Sequence, residues 1–262
     1  MSGSSTDGPL GRTVEDVAAL LDVMAGYEVG DPYWTPPRRR PFRSELHDPG
    51  KPLRIAFTDQ NPFGHEFDSE CVQAVRETVS LLEDLGHHVD EAAPSVDASM
   101  PSILMRLWQT VVSYYQVTDL SQVEPYNRML AQRALGTSSA DYVEAVNALH
   151  AASREVVRFW TRYDVFVTST LVRPRVRAGW VWEADLDPTK QLKRDGEFLP
   201  FYTPLANVTG LPAMSLPLAW TGDGLPIGVH LVGAPAGEAT LLQLATQLEA
   251  ARPWSDRRPK GY

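Results

Sequence analysis

The sequence predicts an α/β fold. Short apolar runs rich in β-branched residues alternate with longer segments whose apolar residues recur at helical spacing. This alternation is typical of α/β proteins. A chain of 262 residues is long enough to bury a large core, so 1–262 is treated as one domain-sized unit. The predicted strands are LRIAF (53–57), HHVDEA (87–92), DVFVTST (164–170), PAMSLPL (212–218) and PIGVHLV (226–232).

The first predicted helix begins at Thr13 and ends at Gly26. Thr13 is the predicted N-cap, and Asp16 stands three positions later in a capping-box arrangement. Residues 1–7 precede it as a flexible leader. The segment 27–52 follows as a proline-rich connection, in which regular structure is not expected. The apolar stripe of the helix is Val14, Val17, Leu21 and Met24.

A strand–helix–strand unit comes next. LRIAF and HHVDEA flank a helical stripe that ends at Gly86, and parallel pairing is the usual outcome of such a crossover. The loop before the helix contains His65, Glu66 and Asp68. These neighbours point in different directions, so capping of the helix by Asp68 or Ser69 is favoured over a metal site.

The middle of the chain, 98–163, is a predicted helical covering segment. Ser138 and Asp141 repeat the capping-box pattern. Aromatic residues on these helices, Trp108 among them, are either core residues or the wall of a ligand pocket.

The last third contains two strands and a final helix. After 164–170 the chain is expected to be irregular and polar up to FLPFYTP. The link TGDG between PAMSLPL and PIGVHLV fits either a hairpin or a tight crossover. The final helix is predicted over 237–251.

Charge and cysteine content exclude several classes of function. The net charge of −9 argues against binding to nucleic acid or to an anionic membrane surface. The single cysteine, Cys71, cannot form an intrachain disulfide, which fits a reducing cytosol. No apolar run reaches membrane-spanning length, so a cytoplasmic protein is expected. No metal and no cofactor are predicted.

Four segments together resemble the amidase signature family, in particular bacterial amidases that cut aryl amides or cyclic amide oligomers. The resemblance implies the C-terminal portion of the amidase signature fold, a mixed β-sheet flanked by α-helices. It also implies hydrolysis of carbon–nitrogen bonds in amides. The segments are GPLGRTVEDVAALLDVMAG (8–26), DPYW (31–34), YTPLANVTGLPAMSLPLAW (202–220) and GLPIGVHLVG (224–233).

The resemblance also implies that the catalytic groups are absent from this chain. The family uses a serine nucleophile, a second serine and a lysine base, all in its N-terminal half. Ser4 and Ser5 lie too close to the first helix to fill these roles, and the first lysine is Lys51. The chain alone is therefore expected to be inactive. A small neutral or aromatic amide would bind once an N-terminal-half partner or a homo-oligomer completed the site.

The residues that match the family's pocket are the predicted substrate-binding residues. Each has an alternative: the aromatic rings are core residues, and Asn207 satisfies backbone groups in an irregular turn. Pro200 stands where glutamine-using relatives carry an acidic residue, which disfavours a charged amino-acid substrate. The predicted residues are Phe201, Tyr202, Thr203, Asn207 and Trp108.

Two other hypotheses remain. The first is a non-catalytic binding or scaffold protein, or one chain of a split amidase. The second is a hydrolase that uses residues present here, although no G-x-S-x-G elbow occurs and Ser215 falls inside a strand. The candidate nucleophiles would be Ser153, Ser169 and Ser215, and the candidate bases His150 and His230.

Overall fold

The computed structural model describes residues 5–31, 33, 35–115, 119–180, 183, 187–198 and 202–259. Within these ranges the chain forms a five-stranded sheet with helices on both faces. The strands are β1 (Arg54–Phe57), β2 (His88–Glu91), β3 (Val165–Ser169), β4 (Ala213–Trp220) and β5 (Pro226–Gly233). The α-helices are α1 (Val14–Met24), α2 (Phe42–Glu45), α3 (Ser69–Asp84), α4 (Met100–Val111), α5 (Pro125–Leu135), α6 (Ser139–Val157), α7 (Pro188–Phe198), α8 (Tyr202–Thr209) and α9 (Glu238–Ala251).

The sheet is mixed, with the order β2-β1-β3-β5-β4. β1 pairs in parallel with β2 and β3, which confirms the predicted crossover. β5 pairs antiparallel with β3 and β4. The TGDG link therefore closes a β4–β5 hairpin, and of the two predicted alternatives the tight crossover is wrong.

Both faces of the sheet are covered, which explains why the central strand is buried along its whole length. All five residues of β3 are buried, as expected for a strand packed on both sides. One face packs against α1, α3 and α9 through β3 residues Val165 and Val167. On the opposite face Phe166 packs against Trp160 and Tyr202. The Trp160 indole also donates a hydrogen bond to the carbonyl of Val232, 3.3 Å away.

Helix starts were predictable from sequence because their capping groups are local. The Thr13 hydroxyl accepts from the amide of Asp16, whose carboxylate accepts from the Thr13 amide. Ser138 and Asp141 form the same reciprocal pair at the start of α6. The N-cap of α3 is Asp68, which was one of the two caps predicted for this helix. These side chains satisfy amides that have no partner inside the helix.

Two helices lie where irregular chain was predicted, and a third lies where no element was predicted. The proline-rich connection contains α2, the polar stretch after β3 contains α7, and α8 follows that stretch. In α2 the Asp22 carboxylate accepts from the amides of Phe42 and Arg43, at 2.7 and 3.0 Å. This cap comes from a residue twenty positions upstream, so no local pattern indicates it.

The two edges of the sheet differ in character. β2 is largely exposed and carries charged residues, which disfavours pairing with another strand. β4 contains Pro217, a residue tolerated at sheet edges because it has no amide hydrogen to donate. Two β4 residues on the face shared with Phe166, Ala213 and Ser215, are exposed. This end of the sheet is therefore left partly open.

None of the helices in the described ranges combines the length and apolar character that a bilayer crossing requires.

Candidate functional site

Polar side chains gather on the sheet face that α8 covers. His230 of β5 lies opposite Thr168 of β3 and opposite Ser215 of β4. Residues directly opposite on antiparallel strands point to the same face. The three side chains therefore form a row across three strands, and we call this row together with the neighbouring Thr170 the polar row.

Two hydroxyls of the polar row bind each other. The Oγ1 of Thr170 and the Oγ of Ser215 lie 2.7 Å apart. Between them runs β5, which presents Gly228 at this point. A Cβ atom on Gly228 would meet Ser215 Oγ at 2.6 Å and Thr170 Oγ1 at 2.7 Å. Only glycine lets the two hydroxyls meet above the strand.

The buried end of the polar row has unpaired polar atoms. His230 Nδ1 and Thr168 Oγ1 are both buried without a hydrogen-bond partner among the described residues. His230 is 4% exposed, and its burial lowers the pKa of its imidazole to about 4. A neutral imidazole keeps one ring nitrogen as a donor and the other as an acceptor. This end of the polar row can therefore bind either kind of partner.

Helix α8 holds three of the predicted pocket residues. Tyr202 is 3% exposed, and its ring packs edge-on against Phe166 with centroids 5.0 Å apart. The Thr203 hydroxyl donates to the carbonyl of Thr170 at 3.0 Å, which ties α8 to the polar row. Asn207 is half-buried within the helix, so its predicted alternative in an irregular turn is wrong.

Trp108 and Phe201 are the other two predicted pocket residues. Trp108 is 49% exposed on α4. Its helix contacts α6, which in turn contacts α8. Phe201 lies outside the described residues. Pocket lining by Tyr202, Thr203, Asn207, Trp108 and Phe201 stays a prediction, and burial favours a core role for Tyr202.

Thr168 and Thr170 were missed by the sequence analysis, although a signal was present. Thr168 and Thr170 are two residues apart in the third predicted strand, and Gly228 and His230 are two residues apart in the fifth. Residues two apart on a strand point to the same face, so each pair shares a face. Which strands are neighbours depends on pairing between distant segments, and sequence alone does not supply it.

The serines proposed as nucleophiles have no histidine partner in the described part of the chain. The Ser169 hydroxyl donates to the carbonyl of Leu171, and that of Ser153 donates to the carbonyl of Val208. Ser215 pairs with a threonine. The candidate base His150 is exposed on α6. The described geometry therefore does not assemble a serine–histidine pair.

The described lysines are also far from a catalytic environment. Lys51, Lys190 and Lys193 are all exposed, whereas a lysine base needs burial to give up its proton near neutral pH. Across the described ranges, no three His, Cys, Asp or Glu side chains gather closely enough to hold a metal ion. Asp68, from the loop weighed as a metal site, caps α3 instead.

An open groove lies beside α1, away from the polar row. Its volume is about 800 Å³, and the residues that line it include Leu10, Leu20 and Val23. None of the predicted pocket residues lies in it. Its apolar, open character suits contact with another polypeptide surface better than enclosure of a small molecule.

His230 is expected to make the protein less stable in mild acid. Its pKa is lowered in the folded state, so the unfolded chain binds the proton more readily. The contribution of His230 to the free energy of unfolding is fully present above about pH 6.5 and is lost as the pH drops towards 4. The loss is about 1–2 kcal/mol between pH 6.5 and pH 5. Urea unfolding at each pH measures it. His230→Leu should flatten this dependence, whereas Leu231→Val, a comparable change in the same strand, should keep it. Equal slopes in both variants would contradict the prediction.

Comparison with known proteins identifies the family. The Amidase family profile matches residues 1–242. The chain is 31% identical over 280 residues to the 6-aminohexanoate-cyclic-dimer hydrolase of Paenarthrobacter ureafaciens, covering 99% of this chain and 56% of that protein. The chain thus spans about half the length of the curated relatives it matches.

Solved structures agree with the family assignment. The structure of 6-aminohexanoate cyclic dimer hydrolase complexed with substrate matches with a TM-score of 0.84 at 30% identity, over 95% of this chain and 55% of that one. A bacterial aryl acylamidase of the amidase signature family has the same fold, with a TM-score of 0.75 at 20% identity over 96% of this chain and 55% of that one. The predicted fold, a mixed sheet flanked by helices, is confirmed. The chain belongs to the amidase family.

Proposed function

We propose that these 262 residues form the substrate-facing C-terminal part of an amidase-type hydrolase that cleaves the carbon–nitrogen bond of a small neutral or aromatic amide. The match to about half of each longer relative supports this assignment. The neutral side chains of the polar row support an uncharged substrate. We further propose that the catalytic lysine and serines come from sequence outside these residues. The single cysteine fits a cytoplasmic location.

The observation that carries the proposal is that none of the candidate serines has a hydrogen bond to a base in the described residues. Ser153, Ser169 and Ser215 bind backbone carbonyls or a threonine, and the described lysines are exposed. An acyl-transfer nucleophile needs a base within hydrogen-bond reach. The completing part would be an N-terminal-half partner or, less economically, a second copy of this chain. A split enzyme is favoured over a scaffold because the polar row ends at the exposed Ser215.

The purified chain is expected to hydrolyse neither anilides nor aliphatic amides above the buffer rate. It should also not react with a serine-directed fluorophosphonate, because no described serine is activated. Mass spectrometry of the treated protein measures the labelling, and the full-length cyclic-dimer hydrolase serves as the positive control. Covalent labelling of one serine would overturn the proposal and favour a hydrolase that uses residues of this chain.

A further inference from the structure

The contact between Thr170 and Ser215 has the features of a built site. It joins the end of β3 to β4 across the intervening strand β5. The contact exists only because position 228 is glycine, which leaves room for both hydroxyls. Ser215 is exposed, so a ligand can reach the pair from the open end of the sheet.

The hydrogen-bonding capacity of the pair matches one chemical group. Two hydroxyls carry two protons, and the bond between them uses one. One proton remains to donate, and oxygen lone pairs remain to accept. A secondary amide presents one carbonyl acceptor and one N–H donor. We propose that the Thr170–Ser215 pair is a subsite that holds an uncharged amide group of the substrate, donating to its oxygen and accepting from its N–H.

A second, independent observation points to a ligand on the same face. His230 and Thr168 have buried atoms with no hydrogen-bond partner among the described residues. Thr168 precedes Thr170 by two residues on β3, and His230 lies directly opposite Ser215. Buried polar atoms are almost always paired. Polar atoms left open beside an exposed hydroxyl pair are typical of a surface that receives a polar molecule.

The subsite positions the substrate and takes no part in the chemistry. Ser215 lies inside a regular strand, and its hydrogen-bond partner is a threonine, which is not a base. The proposal rests on the proposed function for the identity of the substrate. It adds which residues hold an amide group and why charged substrates are disfavoured there.

The test is a binding measurement on the full chain. The probe is ε-caprolactam, a neutral cyclic amide, and cycloheptanone is the matched ring that has a carbonyl and no N–H. Each is titrated into methyl-labelled protein and followed by NMR. The lactam should shift the Thr170 methyl signal saturably and bind more tightly than the ketone. Thr170→Val and Ser215→Ala should each weaken lactam binding about 3- to 10-fold, as expected for losing one hydrogen bond.

Three further variants keep the result interpretable. Ser153→Ala removes a hydroxyl from α6 that donates to the carbonyl of Val208, so lactam binding should be unchanged. Thr170→Ser keeps the hydroxyl and should bind like the parent. Gly228→Ala should separate the two hydroxyls and weaken binding as much as either deletion. Spectra and urea unfolding of each variant identify any that fail to fold.

The proposal is overturned if the lactam gives no saturable shift up to its solubility limit. Equal binding by the parent, Thr170→Val and Ser215→Ala also overturns it, as does equal affinity for the ketone. These outcomes differ from failure of the proposed function, because binding needs no catalysis. If the completed enzyme is active but Thr170→Val and Ser215→Ala leave its lactam affinity unchanged, the proposed function stands and the proposed subsite is wrong.

Discussion

Replacing Tyr202 by alanine is expected to destabilise the protein by about 3–5 kcal/mol, the usual cost of removing a buried aromatic ring. Tyr202 is 3% exposed and packs against Phe166, which lies at the centre of the sheet. Its burial also raises the pKa of the phenol to about 12. These features place the ring in the core beneath the polar row. Urea unfolding followed by tryptophan fluorescence measures the loss.

Two variants separate core packing from pocket lining. Tyr33→Ala makes the same change at a tyrosine that is 86% exposed, and it should alter stability by less than about 0.5 kcal/mol. Tyr202→Phe keeps the ring and should retain most of the stability. A loss below about 1 kcal/mol for Tyr202→Ala would contradict the core role. It would then favour the pocket role that the family resemblance implies.

The parts of the fold that sequence predicts are those fixed by neighbouring residues. Both capping boxes were recognised because their two partners are three residues apart. The strand β3 was recognised because it begins with a run of three β-prone apolar residues, Val165, Phe166 and Val167. Local energies of this kind are visible in any short window of sequence.

The helices α7 and α8 were missed because neither carries a local pattern that predicts a helix. α7 is mostly polar, with Leu192 and Phe198 as its large apolar residues, so it lacks the apolar stripe that indicates a helix. α8 carries Pro204 and two threonines, which are weak helix formers. Three buried residues, Tyr202, Leu205 and Ala206, face the core from α8. Packing against the sheet stabilises this helix, and tertiary packing is not visible in a local pattern.

The polar row was also predictable from sequence only in part. Ser215 and His230 were named as candidates from their chemistry, but as a nucleophile and a base. Their common face follows from the register of the β4–β5 hairpin, whereas the order β3-β5-β4 depends on a long-range pairing of β3 with β5. That order brings Thr170 to Ser215 and changes the interpretation from catalysis to binding.

Supplying the N-terminal part of a longer relative is expected to give amidase activity. Co-expression with the N-terminal part of the 6-aminohexanoate-cyclic-dimer hydrolase that precedes the aligned region should give a soluble complex. This complex should hydrolyse neutral amides that neither part hydrolyses alone, because the catalytic residues of the family would then meet the polar row. Copurification measures assembly, and product formation measures activity. Soluble complexes that all stay inactive would contradict a catalytic role for this chain.

A substitution on the exposed surface of α1 tests whether the two parts assemble through this helix. Leu20, Val23 and Met24 are 45%, 85% and 49% exposed beside the open groove. Covering apolar surface of this kind contributes roughly 25 cal/mol per Å² to association. Val23→Asp should therefore weaken copurification and reduce activity together. Val143→Asp makes the same change at a 55% exposed valine on α6, away from the groove, and should affect neither.

If Val23→Asp assembles as well as the parent, the α1 surface is not the docking face. The edge strand β4, where Ala213 and Ser215 are exposed, is the alternative docking face. Ser215→Asp would test that alternative, because a charge at this position cannot be covered by an apolar layer without a large desolvation cost. Loss of assembly in one variant and not the other identifies which surface the second polypeptide covers.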